Sequence, residues 1–260
     1  LEADDAVRVE GEVSSRHFAD VASIPLGVDL ARKVARYQNP IPAPDADLPI
    51  VLEPSLVAQM MRAVAPAFDR QLIDSNKSFL KGEIDQTLGS SLLHMIDDAA
   101  RPGGLATRAF DARGVPPVSI PLIREGAAGA FYSGVAQSEA KGLRPSGHEQ
   151  ADGSAWSGNL LLRSGTRSRN MMFPELGEFL LLDGVVNNGV RCDLAKGTLR
   201  LKAHTFLSDG GQVKGYLGVQ TFKTTWVDLW SGIREIGSDQ QRFGTVDAST
   251  WVVDGMARSR

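Results

Sequence analysis

The sequence contains a single cysteine, Cys192, and only four histidines among its 260 residues. One thiol excludes an internal disulfide and any zinc module built from several cysteines. No two of the histidines, His17, His94, His148 and His204, are three or four residues apart, so no helix can present two imidazoles to one metal ion. A metal site would need distant residues to converge, and we expect Cys192 to be an inert, buried thiol.

An excess of charge of one sign is also missing. Lys and Arg total 28 while Asp and Glu total 31, which gives a net charge of −3 at pH 7. Such a balance provides no overall field that would attract a polyanion, and we expect no direct nucleic-acid partner. No apolar run approaches the roughly 18 residues of a membrane helix, and the N-terminus shows no secretory signal. We therefore expect a cytoplasmic protein that does not bind a membrane.

Nucleotide-binding and hydrolase motifs are absent as well. The sequence has no GxxxxGK[ST] loop, no GxGxxG between a strand and a helix, and no GxSxG elbow around a nucleophilic serine. The neighbouring carboxylates Asp97 and Asp98 would point to opposite faces of an extended strand, so they cannot act together on one substrate. A turn is their predicted role. Composition and motifs alone name no function.

Periodicity predicts an α+β protein with a large, mainly antiparallel β-sheet domain and a few packed helices. Alternating residues predict a strand over 7–13 and a hairpin with arms 198–207 and 212–219, and a short strand is predicted over 48–53. Helical spacing predicts a helix over 26–37, before a connector at 39–49 that contains four prolines. We interpret residues 1–40 as a linker or the remnant of an N-terminal domain, and residues 41–260 as the main domain.

A second helix is predicted after Ser55, which is a favourable N-cap residue, and Pro66 should end or bend it. Its apolar residues recur at helical spacing beside predicted strands, a pattern typical of packing against a sheet. We therefore predict that four of them belong to the core, namely Leu56, Met60, Met61 and Val64. A further helix is predicted around Trp226, Leu229, Trp230 and Ile233.

Several short strings occur in the order and spacing of the C-terminal domain of the TldD/PmbA family, whose members carry the name modulator of DNA gyrase. They are IVLEP at 50–54, DD at 97–98 with PGGL at 102–105, FD at 110–111 with GVP at 114–116, LIREG at 122–126, GLRPSG at 142–147 and FLSDG at 206–210. The resemblance runs from about residue 45 to residue 240, and it is weak over 150–159 and 238–260.

Catalytic members of this family carry an HExxxH helix, whose histidines bind zinc and whose glutamate acts as a general base, and a late cysteine ligand. The resemblance places Met61 and Pro66 at the histidine positions and Arg62 at the glutamate position. A thioether is a weak zinc ligand, proline has no donor atom, and arginine is not a base at neutral pH. Cys192 is too early to be the late cysteine. The resemblance therefore implies a non-catalytic TldE/PmbA type with no catalytic residue, metal ligand or cofactor of its own.

The same resemblance implies a partner: a TldD-like catalytic homologue that holds the zinc, or a second copy of this chain. The pair would act on small or unfolded peptides, held in extended form by main-chain hydrogen bonds. The loop that contains Arg144, Ser146, Gly147 and His148 is predicted to lie near the substrate path, with an ordinary surface loop as the alternative. Two other functions stay open: an active peptidase with an unconventional site, and a binding or regulatory module of the gyrase-modulator type.

Overall fold

The computed structural model describes residue 9 and residues 11–22, 24–254 and 256–259. In this part of the chain the α-helices are α1 (Phe18–Ala22), α2 (Leu26–Ala35), α3 (Pro54–Val64), α4 (Arg70–Asp74), α5 (Val135–Lys141), α6 (Arg169–Leu176) and α7 (Trp226–Ser231). Short 3-10 turns follow α2 at Arg36–Gln38 and α3 at Ala65–Phe68. None of these helices is long and apolar enough to cross a membrane.

Strands dominate the molecule. They are β1 (Ile50–Leu52), β2 (Met95–Asp98), β3 (Ser119–Arg124), β4 (Ala127–Ala128), β5 (Leu160–Leu162), β6 (Glu178–Asp193), β7 (Thr198–Asp209), β8 (Gln212–Thr225), β9 (Ile233–Ile236), β10 (Gln241–Phe243), β11 (Val246–Ala248), β12 (Trp251–Val253) and β13 (Ala257–Ser259). They form one sheet of order β13-β8-β7-β6-β1-β12-β9 and another of order β10-β11-β5-β2-β3-β4. The predicted α+β class is confirmed.

Both sheets are mainly antiparallel, but each contains one parallel pair. β1 runs parallel to β6, and β11 runs parallel to β5. The remaining pairs are antiparallel, including the predicted hairpin of β7 and β8. Gly210 and Gly211 make its turn with φ of 58° and 93°, the left-handed conformation that tight hairpins need at both central residues. The hairpin is longer than predicted, because both arms continue beyond the alternating segments.

Helix α3 lies between the two sheets. It packs against β6 on one side and against β10 and β11 on the other. Glu53 is its N-cap and Pro54 occupies the first turn, so the predicted cap at Ser55 is wrong by two residues. The helix ends at Val64, and the 3-10 turn that contains Pro66 follows, as predicted. The predicted core residues are confirmed, because none of the four has exposed surface: Leu56, Met60, Met61 and Val64.

The seven-stranded sheet is also covered on its other face. Val51 alternates with Ile50 and Leu52 along β1, so it points away from the main core into a second apolar cluster. Met172 and Phe173 of α6 cover this cluster, together with Phe179, Leu181, Phe206 and Val252. Tyr37 packs edge-on against three rings at the border of this cluster, those of His204, Phe206 and Tyr216.

The N-terminal segment lies on the surface. Neither α1 nor α2 contains a buried residue. Lys33 and Arg36 bind the buried carboxylate of Asp183 on β6, and Arg16 donates to the carbonyl oxygens of Gly104 and Thr107. The predicted helix over 26–37 is confirmed as α2 and its 3-10 turn. The strand predicted over 7–13 lies partly outside the described residues, and residues 9 and 11–13 do not form a strand.

Candidate functional site

The positions that the resemblance compares with a zinc site are spread over three environments. Met61 is fully buried in the core, and Arg62 is exposed and donates from Nη2 to the carbonyl oxygen of Phe243 at 2.9 Å. Pro66 is exposed and lies beyond the end of α3. One side chain is thus sealed from solvent, one is a cation, and one has no donor atom. These residues do not fit a zinc ion.

Other metal donors do not replace them. Over residues 9, 11–22, 24–254 and 256–259, no three His, Cys, Asp or Glu side chains are grouped closely enough to hold a metal ion. The histidines lie in separate places: His148 is buried, and Nδ1 of His204 lies 2.8 Å from the hydroxyl of Tyr216. Burial lowers the pKa of His204 below its usual value.

The start of α3 is fixed by an ionic network centred on Arg169 of α6. Its Nη1 and Nη2 donate to the two carboxylate oxygens of Glu53 at 2.9 and 2.6 Å, a bidentate pair. Its Nε donates to Asp239 at 2.7 Å, and Asp239 also accepts from the backbone N–H and hydroxyl of Thr250. One guanidinium therefore joins α3, α6 and the segment before β10.

The charges in this network are held in their ionised forms. Burial acts to raise the pKa of Asp239, but the hydrogen bonds from Thr250 and the ion pair with Arg169 together lower it below its usual value. Burial also opposes the charge on Arg169, yet the hydrogen bonds and charges of Glu53 and Asp239 raise its pKa above the ordinary range. Every polar atom named above already has a hydrogen-bond partner within the protein. We therefore interpret the network as structural: it stabilises the start of α3.

The loop predicted to lie near a substrate path has one exposed and three buried members. Arg144 is exposed, whereas Ser146, Gly147 and His148 are buried. The Ser146 hydroxyl accepts from the backbone N–H of Ser133, and the Ser146 carbonyl accepts from the N–H of Val118. Arg144 is therefore accessible from solvent, whereas the other three residues hold the loop against the rest of the protein.

His148 of this loop belongs to a buried polar cluster that also contains Asp97 and Tyr132. The Tyr132 hydroxyl donates to Oδ2 of Asp97 at 2.6 Å, and the backbone N–H of Gly158 donates to the same oxygen at 2.7 Å. Nε2 of His148 lies 3.6 Å from Oδ1 of Asp97. Burial, and next the charge of Asp97, raise the pKa of Tyr132 well above its usual value, so its proton stays in place.

The carboxylates of Asp111 and Glu149 also accept hydrogen bonds that order the surrounding loops. Asp111 accepts from the backbone N–H groups of Arg113, Val115 and Glu149. These bonds outweigh the effect of burial, and they lower the pKa of Asp111. Glu149 binds Nε of Arg113 and the N–H of Val135. Carboxylates whose oxygens order loops are poor candidates for acid–base catalysis, since their protonation would break the fold around them.

An aromatic surface borders the same region. Trp156 is half exposed, and the guanidinium of Arg108 lies over its ring at 4.7 Å. Nη2 of Arg108 also donates to the carbonyl oxygens of Gly147 and Trp156. Burial lowers the pKa of Arg108, although Asp97 and Asp111 oppose that effect. Sequence reasoning missed this pair. The turn predicted for Asp97 is wrong, because Asp97 lies in β2 and its carboxylate is buried.

Replacing Asp97 by alanine should destabilise the chain much more than the same change at its neighbour Asp98. Asp97→Ala leaves the Tyr132 hydroxyl and the Gly158 N–H buried without an acceptor, so the free energy of unfolding should fall by about 2 kcal/mol. Asp98 caps only the N–H of Ala100, and Asp98→Ala should cost about 0.5 kcal/mol. Urea denaturation of the two variants measures the difference, and equal losses would show that the cluster is not the source.

Cys192 is half buried, and its Sγ accepts from the indole N–H of Trp226 at 3.0 Å. Burial raises the pKa of the thiol above its usual value, with the Trp226 bond acting in the opposite direction. A thiol with a raised pKa is a poor nucleophile and a poor metal ligand at neutral pH. The predicted burial of Cys192 is only partial, and its environment supports the prediction that the thiol is inert.

Solved structures share this fold. TldE from Thermococcus kodakarensis superposes with a TM-score of 0.81 at 20% identity, over 92% of this chain and 56% of that one. A candidate modulator of a DNA gyrase from Thermotoga maritima superposes with a TM-score of 0.81 at 20% identity, over 88% of this chain and 54% of that one. The fold is thus that of the TldE-like and gyrase-modulator-like proteins.

The family follows from the sequence itself. Residues 45–260 match the PmbA/TldA metallopeptidase C-terminal domain, and the chain therefore belongs to the PmbA/TldD metallopeptidase family. It is 22% identical to a metalloprotease of Methanocaldococcus jannaschii, over 72% of this chain and 43% of the relative. It is also 22% identical to a metalloprotease of Methanothermobacter thermautotrophicus, over 82% of this chain and 48% of the relative. The chain spans less than half the length of these curated relatives.

Proposed function

We propose that this chain is the C-terminal domain of a non-catalytic, TldE/PmbA-type subunit that works in the cytoplasm with a metal-bearing TldD-like homologue. The observation that carries the proposal is the state of α3. Met61 is buried in the core, and Pro66 lies beyond the end of the helix. Arg62 is a cation that donates a hydrogen bond to the backbone carbonyl oxygen of Phe243. A helix of this kind cannot hold a zinc ion or activate a bound water.

The contribution of this chain is then structural: its surface completes the peptide-binding site of the pair. A homologue with an intact HExxxH helix supplies zinc and the general base, and this chain supplies the second half of a site for small or unfolded peptides. Related subunits assemble most often about a two-fold or pseudo-two-fold axis. The shared interface should bury more than about 1,000 Å² in total. In the absence of the homologue, two copies of this chain should meet through the same surface.

Within such a pair, Arg144 is the member of the predicted loop that can contact a peptide directly. Its side chain is exposed, while Ser146, Gly147 and His148 are buried and order the loop. The half-exposed ring of Trp156 adds an apolar surface close by, since the backbone N–H of Trp156 donates to the backbone carbonyl of His148. A peptide held in extended form by main-chain hydrogen bonds suits such a shallow polar and aromatic border.

Reconstitution with a catalytic homologue tests this function. The full-length protein that contains this chain should cleave an unfolded peptide no faster than buffer, while its mixture with a TldD-like homologue should cleave at least about tenfold faster than the homologue alone. A chelator should abolish the cleavage. A photoreactive form of the peptide should label the segment around Arg144 in the mixture more than the distant hairpin end around Lys214.

Two controls make the result specific. Arg62→Ala should leave cleavage by the mixture unchanged, because Arg62 takes no part in the chemistry, whereas replacing the HExxxH glutamate of the homologue should abolish it. Chelator-sensitive cleavage by the full-length protein alone would instead support an active peptidase with an unconventional site. A protein that never binds such a homologue would support a binding or regulatory module.

A further inference from the structure

A row of three basic side chains crosses the outer face of the seven-stranded sheet. Arg191 on β6 lies directly opposite Arg200 on β7, which lies directly opposite Lys223 on β8. All three are exposed. They share one face of the sheet because residues paired across neighbouring strands point to the same side. The main core lies on the other face, where Leu199 and Leu201 are buried.

Like charges directly opposite each other on neighbouring strands destabilise a sheet. The two closest acids along the chain are engaged elsewhere: Asp193 accepts from the backbone N–H groups of Ala195 and Lys196, and Asp228 accepts from the Thr225 hydroxyl. Among the described residues, no carboxylate oxygen lies within 4.0 Å of Arg191, Arg200 or Lys223. The fold therefore keeps a costly arrangement that its own described side chains do not neutralise.

The same three residues line an open depression of the surface, called the cavity below, with a volume of about 550 Å³. This volume is typical of a small-molecule pocket. Thr198 also lines the cavity, two residues before Arg200 and on the same side of β7. Asp193 and Asp228 belong to its lining as well, so the cavity is bordered by acids on the side of α7 and is cationic at the row itself.

We propose that this cavity binds a small molecule that carries two linked phosphoryl groups. The two guanidinium groups can each form paired N–H···O bonds with a phosphoryl group, and Lys223 adds a point charge. The Cα atoms of the outer two strands are about 10 Å apart, so one phosphoryl group would reach two neighbouring cations and leave the third unmatched. A diphosphate matches all three.

A long polyanion fits the surface less well than a small one. Asp193 pairs with Thr198 in the next row of the same face, so a chain of phosphates extended in that direction would meet a carboxylate. In the other direction the face continues past Lys202 to the aromatic contacts of Tyr37 and His204. The basic row therefore extends over only three strands, and a ligand no larger than the cavity matches its length.

Pyrophosphate binding to the 260-residue chain tests the site, with calorimetry and thermal unfolding at a fixed ionic strength of about 0.15 M. Pyrophosphate should bind and raise the Tm. Arg200→Gln should weaken binding by at least about tenfold. Lys202→Gln is the matched control, because Lys202 has the same charge and strand face as Arg200 but does not line the cavity. Its affinity should stay within about twofold of the unmodified chain.

The unliganded variant separates a binding role from a structural one. Arg200→Gln should unfold at a temperature equal to or above that of the unmodified chain, since it removes charge repulsion from the row. A lowered Tm would show that Arg200 serves the fold, and it would overturn the proposal. The absence of binding at about 10 mM pyrophosphate, equal weakening by both variants, or tighter binding of duplex DNA than of pyrophosphate would overturn it too.

Discussion

Met60→Asp is expected to lower the free energy of unfolding by about 4 kcal/mol or more, the largest effect that we predict for a single substitution in this chain. Met60 has no exposed surface and lies in the main core, on the helix that packs against both sheets. An aspartate there would be buried without a partner, and it would either remain charged at high cost or bind a proton. Thermal and urea unfolding measure the loss.

Gln59→Asp is the matched control, because it places an aspartate at the adjacent position of the same helix. Gln59 is partly exposed, so its replacement should cost no more than about 1 kcal/mol. Equal losses at positions 59 and 60 would attribute the effect to helix propensity and not to burial. A Met60→Asp variant with unchanged stability would show that the apolar side of α3 is an interface and not a core.

Local pattern was sufficient to predict α3 and the β7–β8 hairpin, for physical reasons that differ. The helix has a period of 3.6 that places Leu56, Met60 and Val64 on one side, and only a hydrophobic surface explains that spacing. The hairpin combines alternation over most of β7 with an Asp-Gly-Gly turn whose glycines adopt positive φ. In both elements the interactions that decide the structure lie within a few residues along the chain.

The parallel pairs could not be predicted in this way. β1 pairs with β6 although more than a hundred residues separate them, and only the complete fold brings Ile50 opposite Leu180. Asp97 was wrongly assigned to a turn for a related reason. Alternation along β2 places Asp97 on the same side as the buried Met95, and this signal was present, but its partner Tyr132 comes from a distant segment.

The ionic network around Arg169 also depends on residues that are far apart along the chain, and it fixes the start of α3. In this chain a guanidinium joins α3 to α6 and to the segment before β10, through Glu53 and Asp239. Met61 adds apolar packing from the core side. Ion pairs and apolar packing thus hold α3 in place.

Arg169→Ala should lower the free energy of unfolding by about 3 kcal/mol at pH 7. The substitution leaves two carboxylates without their cation, Glu53 with 12% and Asp239 with 21% of the side chain exposed. An ionised group that loses its partner in such a place costs more than the pair itself contributed. Arg167→Ala is the matched control two residues earlier. Its partners include the mostly exposed Glu175, so its loss should be below about 1 kcal/mol.

The pH dependence of the Arg169→Ala effect separates ionic from packing contributions. The pKa of Asp239 is lower in the folded chain than in the unfolded chain, so its stabilising effect is complete above about pH 4 and is lost as the pH falls through the folded value. The difference in stability between the unmodified chain and Arg169→Ala should therefore be constant near neutral pH and should shrink below about pH 4. Urea denaturation between neutral and acidic pH measures this curve. A difference that stays constant throughout would assign the effect of Arg169 to its contact with the ring of Phe173, 5.8 Å away, and not to its ion pairs with Glu53 and Asp239.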